Sequence, residues 1–277
     1  RIAVWESELT LWSDAVARGP GMYRSHLHYG GALEEAGELH AALTQYELAV
    51  RSAPLIAEPH YNLGNARRML GDTTGAQQSY EEALRLAPQF IDPSINLAAL
   101  LQDRGNLTRA ELLLRQTLES NAGSAELHRR LGVLLAKTVR PRAAEQELRR
   151  ALFFDPEMGM AYYNLGNLLF RQGDFTEAVQ MYEQARLHMP GHFGASYNLA
   201  DAVIRRGDYR TGLDLCLATL RQHPGENSLY HLIGLAQDAL GSSARAVQSY
   251  RRFLSTPGIP HALRNRLQQR IAELSSP

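Results

Sequence analysis

Apolar and polar residues recur along this chain at the three- and four-residue spacing of amphipathic α-helices. In one representative stretch, a first helix opens at Ala57, Gly71 and Asp72 form a turn, and a second helix runs from Thr74 to Ala87. Glycine ends the first helix because it readily adopts the left-handed backbone conformation, and proline prevents the second helix from continuing. The pattern predicts an all-α protein built from helix–turn–helix pairs.

The helix pairs repeat every 34 residues. A leucine on the first helix marks the repeat at Leu63, Leu97, Leu131, Leu165 and Leu199. The position after it is always small: Gly30, Gly64, Ala98, Gly132, Gly166, Ala200 and Gly234. Large residues recur on the second helix at Tyr46, Tyr80, Leu114, Leu148, Tyr182 and Tyr250. Small residues let the second helix approach the first closely, and the large ones fill the space between neighbouring pairs.

These columns resemble the tetratricopeptide repeat (TPR) family. Residues 61–65 and 163–167 both read Tyr-Asn-Leu-Gly-Asn, which is close to the family consensus, as is Gly-Asp-Phe-Thr-Glu-Ala at 173–178. The resemblance covers nearly the whole chain. It implies a right-handed superhelix, an α-solenoid in which the first helix of each pair lines the concave side.

The resemblance also predicts where the repeats begin and end. Seven units are expected at 23–56, 57–90, 91–124, 125–158, 159–192, 193–226 and 227–260. Residues 1–22 are interpreted as the second helix of a truncated preceding repeat. Residues 261–277 are interpreted as a capping helix and tail, with an apolar stripe at Leu263, Leu267, Ile271 and Leu274. An open solenoid needs such a helix to cover its last apolar face.

Two repeats depart from the pattern. In the fourth, Val139 replaces the turn glycine and Pro141 opens the second helix, so we expect a different turn there. In the sixth, Gly212, Cys216 and Thr219 supply less volume than their counterparts, so we expect weaker packing near Cys216.

Composition and charge narrow the range of partners. The formal net charge is +0, which does not favour nucleic acid or anionic lipid. The single cysteine, Cys216, excludes internal disulfides and a cysteine-based zinc site. No apolar run is long enough to span a bilayer, and no secretory leader is recognised. We therefore expect no nucleic-acid binding and no direct membrane insertion by this segment. Because it begins at Arg1, we interpret it as a piece of a longer protein.

The histidines and glycines form no recognised catalytic or metal-binding motif. His26 and His28 are two positions apart and point to different helix faces, and Pro190 separates His188 from His192. The glycines belong to the repeat columns and not to a phosphate-binding loop. We therefore predict no enzyme activity, no cofactor and no metal site for this segment.

The side chains expected on the concave face point to a peptide-binding groove. Asparagine recurs there with tyrosine beside it, and the candidate site residues are Tyr61, Asn62, Asn65, Asn96, Arg130, Tyr163, Asn164, Asn167, Tyr197 and Asn198. A carboxamide offers a donor and an acceptor, which match the two polar groups of a peptide unit. The column resembles the asparagine ladder of the O-GlcNAc transferase superhelix.

Two other interpretations of these residues remain open. The same pentapeptide is the average sequence of the family, so the asparagines could instead bond to neighbouring helices or to water. In addition, Asn65, Asn96 and Arg130 match three of the five positions of the carboxylate clamp by which related repeats bind acidic chaperone tails. Tyr61 and Glu126 stand where that clamp carries lysines, and we expect Glu126 to repel an acidic tail.

The sequence thus predicts a scaffold that binds an extended peptide or a partner helix in its groove. One alternative is the substrate-recognition region of a larger membrane glycosyltransferase, because residues 11–16, followed by Pro20, resemble the junction in such enzymes. Another is self-association through an exposed edge. Cytoplasmic and extracytoplasmic locations both remain open, and the glycosyltransferase alternative implies the periplasm.

Overall fold

The computed structural model describes residues 7–276 and is helical throughout that range. The chain divides into two compact units, residues 1–134 and 135–277. The helices that begin in the first unit are α1 (Glu8–Arg18), α2 (Tyr23–Glu35), α3 (Leu39–Ser52), α4 (Ala57–Met69), α5 (Thr73–Leu86), α6 (Ile91–Asp103), α7 (Leu107–Ser120) and α8 (Ala125–Lys137). Those of the second unit are α9 (Pro141–Phe154), α10 (Gly159–Gln172), α11 (Phe175–His188), α12 (Phe193–Arg205), α13 (Tyr209–Gln222), α14 (Leu229–Ala239), α15 (Ser243–Leu254) and α16 (His261–Ser275).

Helices pack against their neighbours in chain order. In the first unit α2 packs on α3 and α3 on α4, and in the second unit α10 packs on α11 and α11 on α12. The first helices of successive pairs also contact each other, as α2 contacts α4 and α12 contacts α14. Among the described helices within each unit, no two successive second helices meet to the same extent. The first helices therefore line the inner side of each unit, and the predicted all-α solenoid of helix pairs is confirmed.

In four repeats a tyrosine of the second helix lies directly against a glycine of the first. A Cβ added to Gly64 would lie 2.6 Å from the ring of Tyr80, and one added to Gly166 would lie 2.7 Å from the ring of Tyr182. Gly30 and Gly234 meet their own tyrosines in the same way. The same sixteen-residue spacing gives the pairs Gly30 with Tyr46, Ala98 with Leu114, Gly132 with Leu148, Ala200 with Cys216 and Gly234 with Tyr250. Tyrosine therefore occurs only opposite glycine, which alone leaves room for the ring.

The turn glycines adopt the left-handed conformation that the sequence predicts, with φ of 83° at Gly71 and 85° at Gly173. Val139, at the equivalent position of the fourth repeat, has φ of 56° and is the one non-glycine residue with positive φ over residues 7–276. The N–H of Arg140 donates to the carbonyl of Leu135 at 3.1 Å, as that of Asp72 donates to Arg67 at 2.9 Å. The turn thus keeps its left-handed residue, although a β-branched side chain is strained there. It differs in one bond, because the N–H of Thr138 donates to Leu135, three residues back, whereas that of the equivalent Leu70 donates to Ala66, four residues back.

The sixth repeat is filled in a way that the sequence did not predict. Ile204 lies where a side chain at position 212 would stand, so Gly212 leaves no gap. Cys216 is fully buried and packs in one cluster with Ala200 and Leu232. The expected weaker packing thus has no counterpart at Gly212. Burial, with the nearby charge of Asp201, raises the pKa of the Cys216 thiol to about 12.

The described range has one helix before the seven predicted repeats and one after them. The predicted helix within residues 1–22 coincides in position with α1, and residues 1–6 lie outside the described range. At the other end, the predicted capping helix is confirmed. The stripe of α16 that includes Leu263 and Leu267 packs against Tyr250 and Phe253 of α15. The guanidinium of Arg270 also bonds both carboxylate oxygens of Asp238 on α14, at 2.8 and 2.9 Å.

Candidate functional site

All ten predicted site residues lie on first helices, and each is half-buried. In the first unit they are Tyr61, Asn62 and Asn65 on α4, Asn96 on α6 and Arg130 on α8. In the second unit they are Tyr163, Asn164 and Asn167 on α10, and Tyr197 and Asn198 on α12. Their side chains are therefore partly packed within the protein and partly exposed.

In the first unit, three of these residues, Tyr61, Asn65 and Asn96, lie together with Tyr80 of α5, and we call the four the first amide cluster. The side-chain oxygen of Asn65 accepts two hydrogen bonds, from the hydroxyl of Tyr80 at 2.8 Å and from Nδ2 of Asn96 at 2.9 Å. The ring of Tyr61 lies 6.1 Å from that of Tyr80 and 5.3 Å from that of Phe90. One carboxamide thus ties together α4, α5 and α6.

The second unit contains the same arrangement 102 residues later, which is a shift of three repeats. This second amide cluster consists of Tyr163, Asn167, Tyr182 and Asn198. The oxygen of Asn167 accepts from the hydroxyl of Tyr182 and from Nδ2 of Asn198, both at 2.8 Å. The ring of Tyr163 lies 6.1 Å from that of Tyr182 and 5.1 Å from that of His192. The chain therefore presents one amide cluster in each unit.

Each amide cluster leaves one carboxamide nitrogen and one carboxamide oxygen without a partner in the described part of the chain. Nδ2 of Asn65 and the side-chain oxygen of Asn96 have no hydrogen-bond partner among residues 7–276. The same holds for Nδ2 of Asn167 and the oxygen of Asn198. Each carboxamide thus uses one polar atom to hold helices together, and its other polar atom has no partner among the described residues.

The remaining asparagines of the predicted ladder behave differently. Asn96 and Asn198 each bond to an asparagine 31 positions earlier, whereas position 31 before Asn62 is a glycine and position 31 before Asn164 is a valine. Neither of these offers a side-chain oxygen. Nδ2 of Asn164 is buried without a hydrogen-bond partner among the described residues. Over residues 7–276, hydrogen bonds between asparagine side chains are therefore limited to two separate pairs.

Arg130 is already bonded to a carboxylate. Its Nε donates to Glu126 at 2.6 Å, and Arg129 bonds the same carboxylate through Nε and Nη2. Burial raises the pKa of Glu126, but the hydrogen bonds and charges of the two arginines outweigh it, so that the pKa is lowered overall. The expected repulsion of an acidic tail by Glu126 is thus offset by two cations, and Arg130 is not a free clamp residue.

Tyr197 stands apart from the second amide cluster. Its ring lies 5.7 Å from that of Phe193, and burial raises the pKa of its hydroxyl to about 12. It belongs to the apolar packing of the sixth repeat more than to the polar site.

Three histidines that the sequence did not single out occupy the same position in different repeats. Nε2 of His26, His60 and His128 each lies 2.9 to 3.0 Å from the backbone carbonyl of the residue six positions earlier. Each imidazole thus fastens the start of a first helix to the preceding loop. The sequence contains this pattern, because His60 lies one repeat length after His26 and His128 lies two repeat lengths after His60. Their register shows a structural role and not a metal site.

The described residues show neither a metal site nor a bilayer-spanning helix. Over residues 7–276, no three histidine, cysteine, aspartate or glutamate side chains are grouped so that they could hold a metal ion. None of the helices in that range combines the length and the apolarity that crossing a membrane requires.

The sequence matches two models of the tetratricopeptide repeat. One matches at residues 9–55, 32–89, 134–192, 163–227 and 197–262, and the other matches at 68–131. The chain matches none of the curated proteins.

Several solved structures resemble the chain. A tetratricopeptide repeat protein from Parabacteroides merdae is 21% identical, with a TM-score of 0.64, and the match covers 92% of this chain and 100% of that one. PilW, described as a widely conserved type IV pilus biogenesis factor, is 20% identical with a TM-score of 0.67, covering 76% and 98%. YrrB, described as having an unusual peptide-binding site, is 22% identical with a TM-score of 0.50, covering 66% and 95%. At these identities the similarity establishes the fold alone.

Proposed function

This chain belongs to the tetratricopeptide repeat family, whose fold is that of a protein-interaction scaffold, and we propose that it holds an extended segment of a partner protein at its two amide clusters. Binding without catalysis is the role we propose for this segment. The glycosyltransferase alternative finds no support in the family matches or in the three related structures.

The observation that carries the proposal is the pair of unused groups in each amide cluster. Asn65 contributes a free donor and Asn96 a free acceptor, on neighbouring first helices that are joined by a hydrogen bond of 2.9 Å. A peptide unit of an extended partner offers the complementary acceptor and donor. Because the asparagines are already fixed by their other hydrogen bonds, little side-chain entropy is lost when a ligand binds.

The aromatic side chains add contact area beside these polar groups. Tyr61 and Tyr163 are half-buried next to the carboxamides, and each of their rings packs near two other aromatic rings. Rigid tyrosines supply apolar contact at a low entropy cost. Each amide cluster therefore combines recognition of the peptide backbone with a surface against which a side chain of the partner can pack.

The proposal is tested with peptides that are selected from a random-peptide display library for binding to the intact chain. In the variant Asn65→Asp with Asn167→Asp, each aspartate keeps the oxygen that accepts from tyrosine and asparagine, whereas the free donor is replaced by a charged oxygen. We expect binding at least about tenfold weaker by fluorescence anisotropy, since one hydrogen bond at each cluster is lost and a negative charge is added.

The matched control is Asn106→Asp with Gln146→Glu, which changes the net charge equally at two exposed positions. Asn106 caps α7 through its side-chain oxygen, which aspartate retains. Methylating the backbone nitrogens of a selected peptide should weaken binding although its side chains are unchanged. Wild-type affinity in the Asn65/Asn167 variant, or indifference to methylation, would show that the clusters bind no peptide backbone.

A further inference from the structure

A cavity of about 800 Å³ opens at the C-terminal end of the second unit, between α12, α14 and α16. Its apolar lining includes Leu235, Leu263 and the buried Tyr250 and Leu267. This volume falls within the range of ligand-binding pockets. We call it the cap cavity, because the capping helix forms one wall. It is separate from the second amide cluster, although α12 contributes to both.

The charged lining of the cap cavity is unbalanced. Arg205, Arg266 and Arg270 face it, and Asp238 is the one carboxylate among its lining residues. The net charge of the lining is therefore positive by two. Burial lowers the pKa of His231, which also lines the cavity, so the imidazole is neutral near pH 7 and does not add to this charge.

Two of the three arginines are engaged within the protein. Arg270 bonds Asp238 and Glu273, and Arg205 bonds Asp201 at 3.1 Å. Arg266 is exposed and has no charged or hydrogen-bonded partner among residues 7–276. It is not needed to attach α16, because Arg270 and the apolar stripe already do so. Its guanidinium is therefore available to a ligand beside an apolar surface.

We propose that the cap cavity binds an acidic segment of a partner protein, with an aliphatic side chain against Leu235 and Leu263 and a carboxylate paired with Arg266. A guanidinium next to an apolar wall suits such a segment, because the arginine forms charge-assisted hydrogen bonds while the wall covers the neighbouring side chain. The site extends the proposed scaffold function but uses none of the residues of the amide clusters.

The test uses the intact chain and a fluorescein-labelled peptide of alternating glutamate and leucine. Arg266→Gln should weaken its binding by about tenfold in anisotropy titrations, the loss expected for one charge-assisted hydrogen bond. Arg245→Gln is the matched control, because Arg245 is exposed on α15 outside the lining and the change in charge is the same. Circular dichroism confirms that both variants keep the helical content of the wild type.

Two further peptides separate charge from shape. With lysine in place of glutamate the peptide should not bind, and with serine in place of leucine it should bind more weakly. Equal binding of the serine peptide would mean general attraction of anions and would overturn the proposal. So would equal effects of the Arg266 and Arg245 variants, or light scattering that shows a dimer which Arg266→Gln dissociates.

The two proposals can be rejected independently of each other. If Asn65→Asp with Asn167→Asp leaves the selected library peptides bound while Arg266→Gln weakens the acidic peptide, the amide clusters are excluded and the cap cavity stands. The opposite pattern excludes the cap cavity and leaves the amide clusters in place.

Discussion

At the scale of single residues, the contact between Gly64 and Tyr80 shows how little room separates the two helices of a repeat. Tyr80 is fully buried, its hydroxyl bonds Asn65, and its ring occupies the space that a side chain at position 64 would need. The residue that permits the close approach and the residue that exploits it lie sixteen positions apart. Packing and the polar site are thus coupled through one tyrosine.

Gly64→Ala should destabilise the protein by about 1–3 kcal/mol, because the added methyl group collides with the Tyr80 ring. Adding Tyr80→Leu, which reproduces the alanine–leucine pair at positions 98 and 114, should recover part of that loss. Urea unfolding of both single variants and the double variant measures the coupling between the two positions.

Gly225→Ala serves as the control, because a Cβ at position 225 meets no atom within 4 Å. It should change stability by less than about 0.5 kcal/mol. Strictly additive effects of the Gly64 and Tyr80 substitutions would show that the ring does not restrict position 64.

Val139→Gly should stabilise the protein by about 0.5–1 kcal/mol. The valine has φ of 56°, where a β-branched residue is strained, and glycine removes that strain while increasing the entropy of the unfolded chain somewhat. Thermal unfolding measures the change. The reverse substitution, Gly105→Val, places the same side chain in open space at φ of 75° and should be destabilising. A neutral result for both would mean that these turns tolerate valine without strain.

At the scale of elements, α16 is attached by an apolar stripe and by one ion pair. The stripe could be predicted from its spacing, and the structure confirms it. The pair of Arg270 with Asp238 could not, because the two residues belong to different helices and nothing in either local sequence links them. The same reason explains why the cap cavity was not predicted, since its lining residues come from five helices, α12 to α16.

Asp238→Asn should loosen α16 and raise its amide exchange rates by roughly two- to fivefold, as expected for a partly exposed ion pair. Hydrogen exchange with mass spectrometry measures this, and Asp214→Asn, at an exposed position on α13, is the control. Unchanged exchange in α16 would assign its attachment to the apolar stripe alone.

The pH dependence of this contact follows from the same carboxylate. The hydrogen bond from Arg270 and its charge lower the pKa of Asp238, against a smaller opposing effect of burial. The stabilisation is therefore complete above the ordinary aspartate pKa of about 3.9 and is lost as the pH falls through the lower folded value. The difference in stability between wild type and Asp238→Asn should shrink in that acidic range.

At the scale of the whole molecule, the repeat pattern predicted the fold class correctly, because every column reports the same helix-pair geometry several times over. The candidate site was predicted less completely. The asparagine column lies on first helices as predicted, but whether an asparagine bonds another one depends on the residue 31 positions earlier, which the consensus does not fix. The absence of nucleic-acid partners stays a prediction from net charge.

Removal of residues 261–277 should unfold the chain in a graded manner. It uncovers Tyr250 and Ala246 of α15, which α16 covers through Leu267. Because the repeats of an array depend mainly on their neighbours, α14 and α15 should lose amide protection while α4 and α5 keep theirs. Hydrogen exchange distinguishes this from a uniform loss, which would indicate one cooperative unit. A variant that lacks only the last two residues is the control.

The pairing of small and large residues sixteen positions apart also limits how such a gene can be rearranged. Recombination between two repeats leaves every pair matched if it exchanges whole hairpins. A crossover inside a hairpin could join the first helix that carries Ala98 to a second helix that carries tyrosine, and the ring would then meet a methyl group. The helical hairpin, and not the single helix, is therefore the smallest segment that can be exchanged between these repeats without disturbing the packing.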